Sequence, residues 1–176
     1  MDSKTILIGN IICAVGLVID LFGVSRKKAK TVLTYQLFSY GCYALSTFTL
    51  KGYTATVQDI FSIIRNSFAI IGVTSKAVQL FLVTLPVVFG VIVNNRGIIG
   101  LFPVAGNLIY AISMFFFNGK VLPLKIGLLL DVCLFFVFNL TIQNYVGMAN
   151  NALMFLTTLG VVIRTLKREK KSESNM

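Results

Sequence analysis

The chain has 176 residues, of which 56% are hydrophobic and only 12% charged, and its mean hydropathy is +0.86. These values exclude a soluble domain of ordinary composition. The sequence contains no histidine, which removes histidine-based acid–base pairs and most metal sites, so neither an enzyme nor a cofactor-binding protein is expected. The net charge of +10 comes from basic residues that flank apolar runs, which indicates membrane orientation rather than nucleic-acid binding.

Seven apolar runs, most of them near the ~20 residues that cross a bilayer as helix, predict an all-α, polytopic membrane protein. The predicted spans are residues 5–24, 31–50, 53–73, 77–94, 97–117, 121–142 and 145–165. The first is interpreted as a retained span, because Met1-Asp2-Ser3-Lys4 lacks the basic start of a signal peptide. A six-span alternative would merge or discard a segment near the turn at residues 94–97.

The basic residues are distributed unequally between the two sides of the predicted membrane. One side receives twelve of them: Arg26, Lys27, Lys28, Lys30, Lys76, Lys120, Lys125, Arg164, Lys167, Arg168, Lys170 and Lys171. The other side receives three: Lys4, Lys51 and Arg96. The positive-inside rule therefore predicts an N-terminus outside, a C-terminus in the cytoplasm and a basic cytoplasmic tail at residues 167–176.

Two segments recur in the second half of the chain. The run Gly-Asn-Ile-Ile-Cys-Ala at residues 9–14 recurs as Gly-Asn-Leu-Ile-Tyr-Ala at residues 106–111, and Tyr53 with Gln58-Asp59 is echoed by Tyr145 with Asn150-Asn151. The echo predicts two triple-helix bundles in parallel orientation, at residues 1–74 and 97–166, joined by a linker helix at residues 75–96. A bundle of three spans ends on the opposite side of the membrane from where it begins. One linker span therefore has to cross the membrane back, so that the second bundle starts on the same side as the first.

Span 1 carries one amide and one carboxylate. Asn10, like Asn107 in span 5, is either an interhelical hydrogen-bonding group at a small-residue contact or an amide ligand from equivalent repeat positions. Asp20 lies near the predicted cytoplasmic end, beside Arg26 and Lys27, where a solvated charge pair is expected.

Span 3 holds the main candidate site. At 100° per residue its polar side chains fall within an arc of about 120°, and the rest of the helix is apolar. A buried charge at mid-membrane costs at least ~2.5 kcal/mol, so Asp59 and Arg65 should be paired or lie in a wet cavity. The stripe is interpreted either as a substrate or ion site or as a structural network that ties helices together. Its candidate binding residues are Gln58, Asp59, Ser62, Arg65 and Asn66.

Spans 4 to 7 add a carboxylate and a neutral polar stripe. Pro86 and Pro103 are predicted to interrupt spans 4 and 5. Asp131 in span 6 either pairs with Arg65 or carries a proton, so Asp131 and Asp59 are the candidates for proton coupling. In span 7 the stripe of span 3 recurs without its charges, and its candidate binding residues are Asn150, Asn151 and Thr158. Cys13, Cys42 and Cys133 lack metal-ligand spacing and are interpreted as small apolar fillers.

Short motifs resemble those of the YgjV-type family of small bacterial inner-membrane proteins. They are Leu50-Lys51-Gly52-Tyr53-Thr54-Ala55, the Arg65-Asn66 pair and the basic loop Arg26-Lys27-Lys28. The likeness is best over spans 1–3 and implies a multi-pass protein of the bacterial inner membrane.

The three-one-three plan is also similar to the SWEET sugar carriers and the PnuC vitamin-precursor carriers. In those groups a central pocket between the bundles opens alternately to each side. The resemblance makes Asn66 and either Asn150 or Asn151 candidates for the pocket. The chain departs from these carriers in lacking tryptophan and in carrying Asp59 and Arg65, which favours a zwitterionic or charged metabolite over a sugar.

The leading functional hypothesis is a facilitator or proton-linked carrier for a small polar or zwitterionic metabolite. It would use alternating access around a mid-membrane site, in contact with the lipid bilayer and either as a monomer or as a homo-oligomer. The alternatives are the substrate-binding membrane subunit of a vitamin importer and a scaffold protein that transports nothing.

Overall fold

The computed structural model describes residues 1–24, 26, 29–72, 75–116 and 121–173. Every regular element in this part of the chain is an α-helix. The helices are α1 (Ser3–Val24), α2 (Ala29–Thr49), α3 (Tyr53–Ile71), α4 (Lys76–Ile92), α5 (Gly97–Gly100), α6 (Phe102–Phe116), α7 (Val121–Thr141) and α8 (Tyr145–Glu173). The predicted all-α class is confirmed. Lys27, Lys28 and Lys120, which the charge count used, lie outside the described residues.

Among the described residues, three helices are long and apolar enough to cross a membrane, at Ser3–Gly23, Leu122–Thr141 and Tyr145–Lys167. Two shorter apolar helical stretches lie at Lys76–Ile92 and Gly97–Ser113. In contrast, α3 carries a buried polar stripe that includes Gln58 and Asp59. These polar residues lower the average hydropathy of the helix. Large apolar side chains such as Leu7, Phe38 and Ile92 are more than half exposed, as expected for surfaces that face lipid.

Six of the long helices form a closed ring. α2 packs between α1 and α3, and α7 packs between α6 and α8. The ring is closed by contacts of α1 with α8 and of α3 with α6, whereas α4 packs against α3 and α6. We call α1, α2, α3, α6, α7 and α8 the six-helix ring.

The α2–α3 and α7–α8 connections adopt the same backbone turn. Each is a Schellman motif, in which two amides return to carbonyls of the last helical turn around a residue with positive φ. That residue is Lys51 in the first turn (φ 56°) and Gln143 in the second (φ 60°). The hydrogen bonds are Gly52 N–H to Thr47 O (2.7 Å), Lys51 N–H to Phe48 O (2.9 Å), Asn144 N–H to Asn139 O (3.0 Å) and Gln143 N–H to Leu140 O (3.3 Å). The echo of Tyr53 and Tyr145 thus marks the first residues after two matching turns.

A buried apolar cluster joins these two turns. It consists of Leu50, Ala55, Phe138 and Ile142, all of which are fully buried. Leu50 and Ile142 occupy the same place in their respective turns, directly before the residue with positive φ. We call this end of the molecule the Lys51 end, and the opposite end, where α1 meets α2, the Arg26 end.

Arg96 connects the same two turns from the α4–α5 loop. Its guanidinium donates to the carbonyl oxygens of Leu50 (3.4 Å), Lys51 (3.4 Å) and Thr141 (3.3 Å). The Asn95 side chain donates to the Lys51 carbonyl as well (3.0 Å). Arg96 therefore supplies donors to carbonyls at the C-terminal ends of both α2 and α7.

Gly9 and Gly106, which open the two recurring segments, are points of close helix approach. A Cβ on Gly9 would lie 2.5 Å from Leu50 Cγ, and one on Gly106 would lie 2.6 Å from the Oδ1 atom of Asp131. Both glycines thus let the next helix of the ring, α2 or α7, pack against their backbone.

Two details differ from the prediction. The helix predicted to end near residue 165 continues to Glu173, in keeping with the helix-favouring lysines and arginines of this segment. The predicted span 5 is divided at Leu101 into α5 and α6, so Pro103 lies in the first turn of α6, where its missing N–H costs little. Pro86 lies inside the continuous helix α4.

Candidate functional site

A cavity of about 340 Å³ lies within the six-helix ring, and each of the six helices contributes to its wall. Its size is at the lower end of the range typical of small-molecule sites, ~300–1,000 Å³. Eight of the residues singled out in the sequence line it: Gln58, Asp59, Ser62, Arg65, Asn107, Asp131, Asn150 and Asn151. The cavity therefore brings the stripes of α3 and α8 together with residues from α6 and α7.

Gln58 and Asn107 link α3 to its neighbours. The Asn107 amide nitrogen donates to Gln58 Oε1 (2.6 Å), and Gln58 Nε2 donates to the Pro86 carbonyl of α4 (2.9 Å). Gly90 makes the second bond possible, since a Cβ there would lie 2.9 Å from Gln58 Nε2. Both polar ends of the fully buried Gln58 are thereby satisfied, which fixes the α3–α4–α6 corner of the ring.

Arg65 is held by neutral groups. Its guanidinium donates to Asn107 Oδ1 (3.3 Å) and Ser62 Oγ (3.4 Å), and its Cζ lies 5.7 Å from the centroid of the Tyr110 ring. The ring distance is within the range of a cation–π contact. The alternative in which Asp131 pairs with Arg65 is not formed among the described residues: Asp131 Oδ1 has no hydrogen-bond partner.

Asp59 is buried, with 8% of its surface exposed, and receives one long hydrogen bond. The donor is Thr47 Oγ1, 3.4 Å from Asp59 Oδ2, and Thr47 also lies 3.0 Å from the Thr56 hydroxyl. A carboxylate in a structural network would normally accept several shorter bonds. Asp59 can therefore accept further hydrogen bonds, and it lines the cavity.

Asp20 is a third carboxylate on the cavity wall, contrary to the solvated pair expected with Arg26 and Lys27. Ser39 Oγ of α2 donates to Asp20 Oδ1 at 3.5 Å. Arg26 instead stacks on the Tyr35 ring, with Cζ 5.7 Å from the centroid, and Lys27 lies outside the described residues. The helical phase of Asp20 turns its side chain inward, which proximity to Arg26 in the sequence could not reveal.

Asn10 does not line the cavity, although it recurs as Asn107. Its amide nitrogen donates to the carbonyls of Ile6 and Gln143 (both 2.9 Å), and its Oδ1 accepts from the N–H of Val146 (3.0 Å). It thus caps the α7–α8 turn and joins α1 to α8. Of the two interpretations given above, the structural one describes Asn10.

Asn66 and Thr158 also lie outside the cavity wall. Asn66 is buried and donates to Gln36 Oε1 (3.2 Å), and Gln36 is itself a lining residue. Thr158 is buried on α8. Asn66 can therefore act on the cavity only by positioning Gln36.

Several lining residues were not singled out as site residues in the sequence. They are aromatic, amide and hydroxyl side chains, chiefly from α2 and from the α7–α8 region: Gln36, Tyr40, Tyr43, Thr47, Asn139 and Asn144. Tyr43 Oη, like Asn151 Nδ2, is buried without a hydrogen-bond partner. The available signal was the helical spacing of Gln36, Tyr40, Tyr43 and Thr47, which places them on one face of α2. This signal is weaker than the stripe of α3 because none of the four residues carries a charge.

No group of three histidine, cysteine, aspartate or glutamate side chains that could hold a metal ion occurs among the described residues. The three cavity carboxylates come from α1, α3 and α7 and do not converge on one point. What the cavity offers is a set of dispersed acidic, amide and aromatic groups, which suits contact with different parts of one organic molecule.

In the described part of the chain, three helices are long and apolar enough to span a membrane and surround a polar cavity with their neighbours, which places the protein in the class of integral membrane proteins. The chain belongs to the Imp-YgjV family, described as a bacterial inner membrane protein, which it matches over residues 7–172. No curated protein and no solved structure matches it. The resemblance to the YgjV-type family and the inner-membrane location are confirmed, whereas similarity to SWEET or PnuC carriers is not shown.

Proposed function

We propose that the protein is a transporter, a facilitator or proton-linked carrier, for a small polar metabolite. The observation that carries this proposal is the cavity of about 340 Å³ inside the ring, whose wall holds buried polar atoms without partners on Tyr43, Asp131 and Asn151. Buried polar atoms normally find hydrogen bonds, and the exceptions call for an explanation. A polar solute that enters the cavity would supply the missing bonds.

The contacts of the ring support two related halves. The α1–α8 contact has the α6–α3 contact as its counterpart if α1, α2 and α3 correspond to α6, α7 and α8. The matching Schellman turns after α2 and α7 fit the same correspondence. We propose two parallel triple-helix bundles with α4 as the linker, the N-terminus outside and the C-terminus in the cytoplasm.

The two ends of the ring differ in a way that suits one state of an alternating-access cycle. At the Lys51 end, the cluster around Leu50 and Phe138 and the bonds of Arg96 close the ring. Toward the Arg26 end, the cavity wall extends to Asp20 and Gln36, which are only half-buried. We propose that this conformation faces the cytoplasm and that rocking of the bundles breaks the contacts at the Lys51 end.

Asp59 and Arg65 are proposed to contact the solute. Asp59→Asn and Arg65→Gln should each reduce uptake into proteoliposomes at least tenfold while membrane insertion and the gel-filtration profile stay unchanged. Ser67→Ala is the matched control, because Ser67 is an exposed residue of the same helix and donates only to the Ile63 carbonyl.

The solute is first found by a thermal-shift screen of the purified protein against amines, amino acids, nucleosides, sugars and organic acids, since a ligand that binds the folded state raises its melting temperature. A solute whose shift is lost in Asp59→Asn supports the site. Full uptake by both cavity variants contradicts the assignment of these residues. Binding without uptake, together with co-purification of an ATP-hydrolysing partner, would favour a vitamin-importer subunit instead.

A further inference from the structure

We infer that the cavity recognises a positively charged ammonium group, so that the solute is an organic amine, a quaternary ammonium compound or an amino compound that also carries a carboxylate. This rests on the proposed function, because it specifies the chemistry of the solute that the same cavity takes.

The acidic residues of the chain are distributed in an unusual way. The sequence has six, and three of them, Asp2, Glu169 and Glu173, lie at its two ends. The other three, Asp20, Asp59 and Asp131, all line the cavity. In a protein with a net charge of +10, the cavity therefore collects every carboxylate of the chain between its terminal segments.

The basic residue of the wall, Arg65, donates to neutral groups rather than to these carboxylates. Arg65 directs its donors to Asn107 and Ser62 and stacks on the Tyr110 ring. Counted by formal charge, the wall carries three negative groups and one positive group, and that one is bonded to neutral partners. An ammonium group in the cavity would be attracted by all three carboxylates, although it would contact only those nearest to it.

Two further observations point to a ligand rather than to a structural acidic cluster. The Oδ1 atom of Asp131 and the hydroxyl of Tyr43 are buried on the cavity wall without a partner. The adjacent Tyr40 and Tyr43 rings meet edge to face with centroids 6.1 Å apart. Aromatic walls beside carboxylates are the surroundings in which alkylammonium groups bind well.

A probe of the cavity's charge does not need the natural solute. Cys13 lines the cavity, so in a Cys42→Ala, Cys133→Ala protein it serves as a single reporter thiol. Three methanethiosulfonates of similar size would be compared, bearing a trimethylammonioethyl, a sulfonatoethyl or a neutral alkyl group. Each rate at Cys13 is divided by the rate of the same reagent with free 2-mercaptoethanol, which removes differences in intrinsic reactivity.

The expected result is a normalised rate for the cationic reagent at least tenfold above that of the anionic reagent. Asp20→Asn and Asp131→Asn should each lower this ratio at least threefold, and two variants on different helices guard against misfolding of one. Asp2→Asn removes a carboxylate outside the cavity and should leave the ratio unchanged.

The possible results separate the two proposals. Equal normalised rates for the cationic and anionic reagents, or a faster anionic reagent, would overturn the ammonium site while leaving a transporter possible. Failure of all three reagents with the folded protein, when each labels Cys13 in denaturant, would show that solutes of this size do not reach this buried residue of the cavity wall and would contradict the proposed function.

A binding measurement provides an independent check with matched ligands. Choline and 3,3-dimethylbutan-1-ol have nearly the same shape and differ in charge, and 3,3-dimethylbutanoate adds an anion of similar size. The ammonium site predicts that choline binds at least tenfold more tightly than either of the other two. Tighter binding of the alcohol or of the carboxylate would overturn it.

Discussion

Arg96 offers a sharp test of how the two halves of the ring are held together. Its guanidinium donates to three carbonyl oxygens on two helix ends, Leu50 and Lys51 after α2 and Thr141 at the end of α7. The substitution Arg96→Gln removes all three bonds and a positive charge that favours helix C-termini. Because these bonds link the ends of α2 and α7 directly, their loss should weaken the contact between the halves, which then depends at this place on the apolar cluster around Leu50 and Phe138.

The magnitude follows from the geometry. Hydrogen bonds from a charged donor contribute about 1.5–3 kcal/mol each when short and buried. Those of Arg96 are 3.3–3.4 Å long and the residue is only half-buried, so each is taken below that range, and the three together contribute about 2 kcal/mol. For a chain of this length, a loss of this size lowers the melting temperature by about 4–8 °C.

The assay is a thermal-unfolding series in detergent for the wild type, Arg96→Gln, Arg96→Lys and Lys4→Gln. Lysine keeps the charge but cannot form three diverging bonds, so Arg96→Lys should fall between the wild type and Arg96→Gln. Lys4 is an exposed basic residue near the same end and controls for charge alone. A melting temperature of Arg96→Gln within 1 °C of the wild type, or an equal loss in Lys4→Gln, would refute the role of the bridge.

Two further predictions concern the matching turns and the α3–α6 contact. Lys51→Gly and Gln143→Gly should each raise the free energy of unfolding by about 1 kcal/mol, because glycine adopts a positive φ without steric cost. Thermal unfolding measures this change. A lower melting temperature in either variant would show that the replaced side chain contributes more to stability than its backbone conformation costs. Asn107→Ala should lower the free energy of unfolding by about 1–3 kcal/mol, since Gln58 and Arg65 each lose a hydrogen-bond partner. An unchanged melting temperature would mean that Gln58 and Arg65 rearrange to bond each other.

Most of the helical framework could be predicted from the sequence because hydropathy and turn signals act locally. The predicted starts of spans 3, 6 and 7 coincide with Tyr53, Val121 and Tyr145. The polar stripe of α3 was found for the same reason, since a period of 3.6 places Gln58, Asp59 and Ser62 on one face whatever lies opposite. The burial of these three residues confirms that the stripe faces inward.

The partners of the polar residues could not be predicted, because they depend on packing between helices distant in sequence. Asn10 and Asn107 occupy equivalent places in the two recurring segments, yet Asn10 bonds backbone groups of the α7–α8 turn and Asn107 bonds the side chains of Gln58 and Arg65. The recurring segments differ at residues 11 and 108, Ile against Leu, and at residues 13 and 110, Cys against Tyr, but neither difference reveals which groups the asparagine bonds. The difference arises from what the opposite half presents, which in one case is a turn and in the other a charged helix.

The two halves of the ring resemble each other more in their backbone turns than in the side chains that line the cavity. The turns at Lys51 and Gln143 share their hydrogen-bond pattern and a positive φ, so the proposed correspondence between the halves is close at these turns. The same proposed correspondence makes Asp59 equivalent to Asn151, so a carboxylate of one half has an amide at the equivalent position of the other. Equal charges around an axis would suit a symmetric pore for an ion. Charged side chains on α3 and neutral ones on α8 instead distinguish the two ends of a bound molecule, as the proposed carrier of one polar solute requires.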